Sequence, residues 1–194
     1  DGKWIQIGSD LSGEESTDAF GWTGISLSSD GSILAVGAQY NDGDGGEDGE
    51  IVNSGHVRIF ENINNTWTQI GSSIDGEQAY DYSGRSVSLS SDGSIVAIGA
   101  AHFDGKDTNL PFFKREVYPH GQVKIYKNEN GNWTQIGGAI NGDISGSNNF
   151  FGWSVNLSSD GSVVGIGGDY SDWSRVYQNV NNHWTHINQD MVDV

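Results

Sequence analysis

Short apolar runs separated by polar turn residues recur along the whole chain. Three of these runs, at 32–38, 94–100 and 162–168, are rich in aliphatic residues and end in Gly-Ala or Gly-Gly. Side chains alternate between the two faces of a strand. In the first run, both faces are apolar, one bulky and one small: Leu34, Val36 and Ala38 against Ile33, Ala35 and Gly37. A strand that is apolar on both faces is covered on both, which predicts sheets stacked face to face.

Three sequence strings repeat in a constant order. Ser-Ser-Asp-Gly-Ser occurs at 28–32, 90–94 and 158–162, and Asp-Gly between two β-branched runs predicts a hairpin turn. The repeated turn residues are Asp30, Asp92 and Asp160. A second string surrounds a repeated tryptophan, at Trp4, Trp67, Trp133 and Trp184. A third, GHVRIFEN at 55–62, returns as GQVKIYKN at 121–128 and as the degenerate DWSRVYQN at 172–179. Such internal repeats are typical of propellers and solenoids.

Each repeat predicts four antiparallel strands, A to D, joined by short hairpins. The fold class is therefore all-β: a single repeat domain over 1–194 with three propeller-type blades, open or partial, completed by another chain or segment. A β-bulge near Thr23 would absorb one extra residue in the first A strand. The predicted division is a surplus D strand at 1–8, blades at 9–71, 72–137 and 138–188, and a tail at 189–194.

The repeats resemble FG-GAP repeats, the blade repeats of integrin α-subunit propellers and of many secreted proteins. The resemblance lies in Phe20-Gly21 and Phe151-Gly152 before strand A, and in Gly37-Ala38 and Gly99-Ala100 at the end of strand B. It covers nearly the whole chain and implies propeller blades. The second unit departs from it with Tyr82-Ser83-Gly84, and the integrin-type calcium loop is reduced to a bare Ser-Asp-Gly turn.

Composition excludes several kinds of function. The 194 residues contain no Cys, which removes disulfides, thiolate catalysis and zinc–thiolate sites. The net charge of −17 disfavours nucleic acid and anionic membranes as partners. No apolar stretch is long enough to predict a membrane span. The chain begins at Asp1, so we interpret it as a processed or excised piece and predict an extracellular or cell-surface location.

The repeats do not close on themselves. Closed propellers have about four to eight blades, whereas this chain predicts three blades and four D strands. Two hypotheses follow: the chain is a segment of a longer propeller, or protomers associate end to end as a homo-oligomer or fibril. Either arrangement would cover apolar faces that the two end sheets leave bare.

Two loops carry candidate sites. The first B–C loop holds Asp42, Asp44, Glu47 and Asp48, whose carboxylates predict a possible calcium site; a solvated acidic loop is the alternative. The second B–C loop, 101–120, is a basic and aromatic island in an acidic chain. It predicts either a protein interface or a cap on the sheet edge, formed by Phe112, Phe113, Lys114, Arg115 and Tyr118.

Glycosylation sequons at Asn64 and Asn132 fall on predicted C–D turns, where a glycan fits. The repeated tryptophans are predicted to pack on their own blades. No Ser, His and carboxylate set suggests catalysis, so the chain is expected not to be an enzyme. The expected function is a non-enzymatic extracellular structural or adhesive module that self-associates or belongs to a larger surface protein. The alternative is a propeller that binds carbohydrate or protein through its B–C and D–A loops.

Overall fold

The protein folds into three antiparallel sheets. A computed structural model describes residues 2–42, 52–102, 120–142, 150–169, 173–187 and 191–192. Within these ranges the regular structure is entirely β, which confirms the predicted all-β class. Each sheet has five strands, and the first four follow the chain order that the repeats predict. Among the described residues no helix is long and apolar enough to cross a membrane.

The three sheets share one topology. The first consists of β1 (Ile25–Leu27), β2 (Ile33–Ala38), β3 (His56–Ile63), β4 (Thr66–Gln69) and β5 (Ile74–Asp75). The second consists of β6 (Ser83–Leu89), β7 (Ile95–Ala100), β8 (Gln122–Glu129), β9 (Asn132–Gln135) and β10 (Ile140–Asn141). The third consists of β11 (Ser154–Leu157), β12 (Val163–Gly167), β13 (Trp173–Val180), β14 (His183–His186) and β15 (Met191–Val192).

A short fifth strand completes each sheet and was not predicted. In the first sheet, both β4 and β5 pair with β3, at opposite ends of that long strand. The predicted D strand corresponds to β4, and β5 lies beyond it. The sheets consequently run past the predicted unit boundaries, because β5 and β10 pair with the preceding unit and β15 falls in the predicted tail.

The first strand of the first sheet is shorter than predicted. The repeat predicts this A strand over 21–27, but β1 begins only at Ile25. The predicted bulge at Thr23 therefore precedes the strand, and a register shift occurs instead in the second sheet, between Ser83 and Ser86.

The Ser-Asp-Gly turns are built identically in all three sheets. The Asp30 Oδ1 atom accepts hydrogen bonds from the Ser28 hydroxyl, the Ser32 amide and the Ser32 hydroxyl, at 2.8–2.9 Å. Asp92 and Asp160 repeat these contacts. Hydrogen bonds to the ionised form hold the pKa of Asp30 and of Asp160 at about 2, and they also lower the pKa of Asp92. The recurring Asp is a turn residue, as predicted.

The sheets stack with a small face of one against a bulky face of the next. Ala35 on the small face of the first sheet packs in one core with Val96 and Ile98 of the second. Ala97 on the small face of the second sheet packs in another core with Val164 and Ile166 of the third. The two cores confirm the prediction that both faces of the middle strand are covered.

Glycines allow the backbones of adjacent sheets to approach closely. A Cβ added at Gly37 would lie 2.0 Å from the Gly84 carbonyl oxygen, and one at Gly99 would lie 2.1 Å from the Gly152 carbonyl oxygen. Real Cβ atoms do not approach an oxygen so closely. Gly37 in β2 and Gly99 in β7 are therefore required for the close stacking of the sheets.

The repeated tryptophans form hydrogen bonds to backbone carbonyls outside their own sheets, and their packing on their own blades stays a prediction. The indole nitrogens of Trp67, Trp133 and Trp184 donate to the carbonyls of Ile7, Ile70 and Ile136 at 3.0–3.1 Å. Trp4 is fully exposed. The segment around it forms no strand, although the surplus D strand was predicted at 1–8. Its Ile7 carbonyl nevertheless takes the place that Ile70 and Ile136 occupy in the two complete pairs.

Candidate functional site

A cavity of about 360 Å³ opens where the first strands of the sheets begin and the second strands end. This volume lies in the range of small-molecule sites. The walls come from two sheets and from the start of the third, and most of the lining side chains are aromatic or polar. The lining residues are Trp22, Thr23, Gln39, Tyr40, Tyr82, Arg85, His102 and Trp153.

A repeated backbone turn presents one side chain from each sheet to this region. Gly21, Gly84 and Gly152 have φ values of 73°, 83° and 87°, and a residue of positive φ also lies two positions before each: Ala19, Tyr82 and Phe150. This left-handed backbone favours Gly and is uncommon elsewhere. The residues that directly follow the three glycines are Trp22, Arg85 and Trp153. The repeat thus places two tryptophans and one arginine at equivalent positions.

Arg85 lies over an aromatic ring at the cavity. Its Cζ atom is 3.5 Å from the ring centroid of Trp153, a cation–π contact. Its Nη1 atom donates to the Gln39 side-chain oxygen at 3.3 Å, and its Nε is buried without a hydrogen-bond partner among the described residues. Burial lowers the pKa of Arg85, while Tyr40 and Asp169 favour its charged form. The guanidinium is therefore held in place with donor capacity to spare.

A chain of edge contacts between rings continues from this cation around the cavity. The Tyr40 and Tyr82 centroids are 5.5 Å apart, Tyr82 and His102 are 4.6 Å apart, and His102 and Phe150 are 4.7 Å apart. Trp22 joins the chain at 6.0 Å from Tyr40. Rings of this kind present apolar faces and polar edges together, which suits a ligand that has both C–H and hydroxyl groups.

Buried carboxylates fix the loops that precede the glycines. Asp18 is 3% exposed, and its Oδ2 accepts from the Glu15 amide at 2.9 Å and from the Asn41 side chain at 3.2 Å. Asp81 is 1% exposed and accepts from the Gln78 amide at 2.9 Å. These two contacts are equivalent in the repeat, and they make the rim of the cavity a preformed surface.

A smaller cavity of about 20 Å³ lies between the first two sheets. It is bordered by the ion pair between Lys124 and Glu77 and by Tyr126, whose pKa burial raises to about 12. It has room for about one water molecule. We therefore place the candidate site in the larger cavity.

The sequence-predicted sites lie away from the cavity or outside the described residues. Asp42 is exposed and accepts from the Asn53 amide at 2.8 Å, which ties the two ends of the first B–C loop together. The other predicted calcium ligands, Asp44, Glu47 and Asp48, lie outside the described residues, so calcium binding stays a prediction. Within the described ranges no group of three His or acidic side chains could hold a metal ion.

The remaining predictions are placed as follows. Asn64 and Asn132 are exposed at or beside β-turns, so use of these sequons stays a prediction. The predicted interface residues lie outside the described part of the chain: Phe112, Phe113, Lys114, Arg115 and Tyr118.

Sequence reasoning missed Arg85 and the rings around it. The signal was present, because the residue after the repeated Gly is Trp in two units and Arg in the third. In a repeat protein, a position where one unit departs from the others marks a place at which the scaffold requires no particular residue. Such a position is free to carry function.

Comparison with known proteins supports the fold. No protein-family model matches the chain, and no curated protein matches it. Two solved structures match with TM-scores of 0.53 and 0.54: each is named a "putative 6-phosphogluconolactonase", from Bacteroides fragilis and Bacteroides uniformis. Their identities to this chain are 14% and 15% over 86% and 87% of its length. The chain spans only 37% and 39% of those structures. At this identity the likeness concerns the fold.

These neighbours correct the expected function. A non-enzymatic structural or adhesive module, with filament formation as its consequence, was predicted, and so was the absence of enzyme activity. The similar solved structures carry the name of a lactone-hydrolysing enzyme, and their names do not mention adhesion or FG-GAP repeats. The prediction of an adhesive, non-enzymatic module is therefore wrong. The aromatic cavity is the candidate functional site.

Proposed function

We propose that the three sheets are blades of a β-propeller that binds and hydrolyses a small, negatively charged sugar lactone in the cavity around Arg85. The observation that carries the proposal is the single guanidinium stacked on Trp153 in a cavity otherwise lined by aromatic and neutral polar groups. The names of the two similar solved structures favour the lactone class.

We assign the binding of the ligand's charged group to Arg85. Its donors form the fork that matches a carboxylate or a phosphate, and Arg85 lines the cavity. The chain carries a net charge of −17, so an anion reaches this surface against the overall field. A local cation is then the main source of affinity for it.

We assign the binding of the sugar ring to the aromatic side chains of the cavity. Tyr40 and Tyr82 border the cavity and contact one another edge to face. Their apolar faces can stack on the C–H groups of a sugar ring, while their hydroxyls can bond to its oxygens. This arrangement would select a polyol over a plain aliphatic acid.

We assign the proton transfers of lactone hydrolysis to His102. A histidine ring exchanges protons near neutral pH, and His102 borders the same cavity as Arg85. In hydrolysis, water adds to the lactone carbonyl carbon while the imidazole takes one proton from that water. The bond between that carbon and the ring oxygen then breaks, and the proton passes to the released alkoxide. The product is the open-chain sugar acid.

The first test is ligand binding to the Arg85→Gln variant. Titration calorimetry with 6-phosphogluconate should show binding to the wild type and a loss of roughly 10- to 100-fold in affinity for the variant, because a hydrogen-bonded charge pair contributes about 1.5–3 kcal/mol. Arg58→Gln is a matched control. Arg58 also stacks on aromatic rings, Phe20 and Phe60, but it lies outside the cavity.

Turnover is tested separately, by following acid release from 6-phosphogluconolactone above the spontaneous rate. His102→Gln should lower the rate while leaving product affinity largely unchanged. Equal affinity of wild type and Arg85→Gln would contradict the site. Binding without any turnover above background would contradict the hydrolase assignment and leave the anion site standing.

The location also remains a proposal. The sequence predicts an extracellular or cell-surface protein, and a high negative charge suits solubility in a salty medium. We propose a location outside the cytoplasm. Fractionation of the source cells with an antibody to this chain would test it, and recovery in the cytoplasmic fraction would contradict it.

A further inference from the structure

Gln39 contacts the cation of the cavity from the neighbouring sheet. Its side-chain oxygen accepts a hydrogen bond from Arg85 Nη1 at 3.3 Å, although the two residues are 46 positions apart in the chain. Gln39 is only 3% exposed, yet it borders the cavity together with Arg85. Buried polar groups normally have hydrogen-bond partners. The nitrogen of the Gln39 amide, like its oxygen, therefore needs one.

The chemistry of the pair determines which end of the Gln39 amide faces Arg85. A guanidinium group has donors only, so the amide oxygen must face it. The amide nitrogen, with its two N–H groups, then lies at the other end of the amide. It makes no hydrogen bond among the described residues. Gln39 thus brings a neutral donor to the cavity beside the charged one.

Arg85 keeps its positive charge without a carboxylate in direct contact. Among the described residues no acidic side chain forms an ion pair with it, whereas Lys124 is paired with Glu77. Asp169 acts on Arg85 only from beyond ion-pair distance. Burial lowers the pKa of Arg85 because its charge is less well solvated than in water. A cation in this state favours an anion taken up from solution.

Comparison of the three units shows that the Gln39–Arg85 pair is a local departure from the repeat. The residue after the Gly-Ala or Gly-Gly that closes the second strand is Gln39 in the first unit, Ala101 in the second and Asp169 in the third. Between the second and third sheets the equivalent pair is Ala101 and Trp153, and neither is charged. The stacking of the sheets therefore does not require Gln at this position.

The backbone of Arg85 is also fixed from the first sheet. Thr23 Oγ1 donates to the Arg85 carbonyl oxygen at 2.8 Å, and Thr23 borders the same cavity. In the second sheet the Ser86 hydroxyl donates instead to the Gly152 carbonyl, at 2.7 Å. Of these two interfaces, only the one that presents Arg85 holds the residue after the glycine in this way.

We propose that Gln39 is a specificity-determining residue of the anion site: its oxygen holds Arg85 without neutralising it, and its amide nitrogen donates a hydrogen bond to the same anion. The two side chains, from two sheets, form a cradle of one charged and one neutral donor group. An anion with several oxygens, such as a phosphate ester, can accept from both. The inference rests on the anionic ligand of the proposed function and deepens that assignment.

The test is the affinity of Gln39→Glu and Gln39→Ala for 6-phosphogluconate, measured by titration calorimetry beside the wild type. Gln39→Glu keeps the shape of the side chain but adds a carboxylate that pairs with Arg85 and repels the ligand, so we expect roughly 100-fold weaker binding. Gln39→Ala removes the neutral donor and leaves the charge of Arg85 available, so we expect a loss of roughly 2- to 10-fold.

The order of the two variants distinguishes ligand binding from a purely structural role. If Gln39 only supported the stack, Gln39→Glu would bind as well as the wild type, because its carboxylate would hold Arg85 more strongly. Gln39→Ala would then be the weaker binder. Neither variant should melt below the wild type, since the second unit carries Ala101 at this position and Glu adds an ion pair. Wild-type affinity in Gln39→Glu, or a larger loss in Gln39→Ala, would overturn the proposal.

Gln69→Glu is the matched control. The Gln69 side-chain oxygen accepts from Arg58 Nε at 2.9 Å, so the chain holds a second Arg–Gln pair of the same chemistry outside the cavity. This exchange adds the same negative charge to the chain and should leave ligand affinity unchanged. A comparable loss in Gln69→Glu would mean that long-range repulsion is the cause, and it would overturn the role of Gln39.

Failure of this inference can be told apart from failure of the proposed function. If Arg85→Gln weakens binding and Gln39→Glu does not, the anion site stands and the role of Gln39 falls. If Arg85→Gln binds 6-phosphogluconate as the wild type does, the proposed function itself fails.

Discussion

At the residue scale, the residue after the repeated glycine differs between the units although the backbone there is the same. The first and third units carry Trp22 and Trp153 after the repeated glycine, and the second unit carries Arg85 instead. The turn that presents all three is the same left-handed turn, so the backbone is insensitive to which side chain it carries. An Arg85→Trp variant would make the three units alike at this position and should abolish anion binding without loss of the fold.

The aspartates of the Ser-Asp-Gly turns predict an acid-sensitive component of stability. The pKa of Asp30 and Asp160 in the folded chain is about 2, below the ordinary value of 3.8. A lowered pKa stabilises the fold fully above pH 3.8, and this stabilisation is lost as the pH falls through 2. The melting temperature should therefore drop between pH 4 and pH 2.

Replacement of one turn carboxylate tests this dependence. Asp30→Asn should have a lower melting temperature than the wild type at pH 5, with the difference shrinking towards pH 2. Asp10→Asn, which removes an exposed carboxylate outside the turns, is the control. A difference between wild type and Asp30→Asn that stays constant with pH would show that the carboxylate charge is not what stabilises the turn.

At the element scale, the second strand of each sheet determines how the sheets stack. Its last Gly meets a backbone carbonyl of the next sheet in two of the three cases, at Gly37 and Gly99. Since that carbonyl cannot move aside as a side chain could, an added methyl group has to push the sheets apart.

Gly99→Ala tests this constraint on stacking. The added Cβ would lie 2.1 Å from the Gly152 carbonyl oxygen, so we expect a loss of more than about 2 kcal/mol in the free energy of unfolding. Gly165→Ala is the matched control, because its Cβ enters open space and alanine costs less conformational entropy than glycine. Urea unfolding measures both. Equal stability of the two variants would show that the sheets separate easily.

The sequence predicted the elements better than the site. Local sequence pattern predicted the strand at Ile33–Ala38, the Asp-Gly turns and the covered faces, because the same pattern occurs in all three repeats. The short strand β5 could not be predicted, since it is two residues long and its partner β3 also pairs with β4 along its other end. The cavity could not be predicted either, because it assembles residues such as Gln39 and Arg85 from different sheets.

At the scale of the whole molecule, the chain is a stack of three units whose interfaces are nearly identical. Its two solved neighbours are more than twice as long as the stretch that it matches. The sheets at either end of the stack therefore differ in exposure from the middle one: Ile25 and Leu27 of the first sheet are exposed, whereas the equivalent Val87 and Leu89 of the second sheet are buried.

The cores on both sides of the middle sheet have a consequence for dynamics. Val96 and Ala97, adjacent on β7, are both fully buried because one belongs to each core, whereas each end sheet contributes to one core only. An end sheet can detach on its own, but opening the middle sheet requires breaking both interfaces. Amide hydrogens of 95–100 should therefore exchange with deuterium more slowly than those of 33–38 and 163–167, as measured by mass spectrometry. Uniform exchange would mean that the three sheets unfold as one unit. Graded exchange would mean that the end sheets open first, and the cavity would then lose Trp22, Tyr40 and Trp153 from its walls before the middle sheet opens.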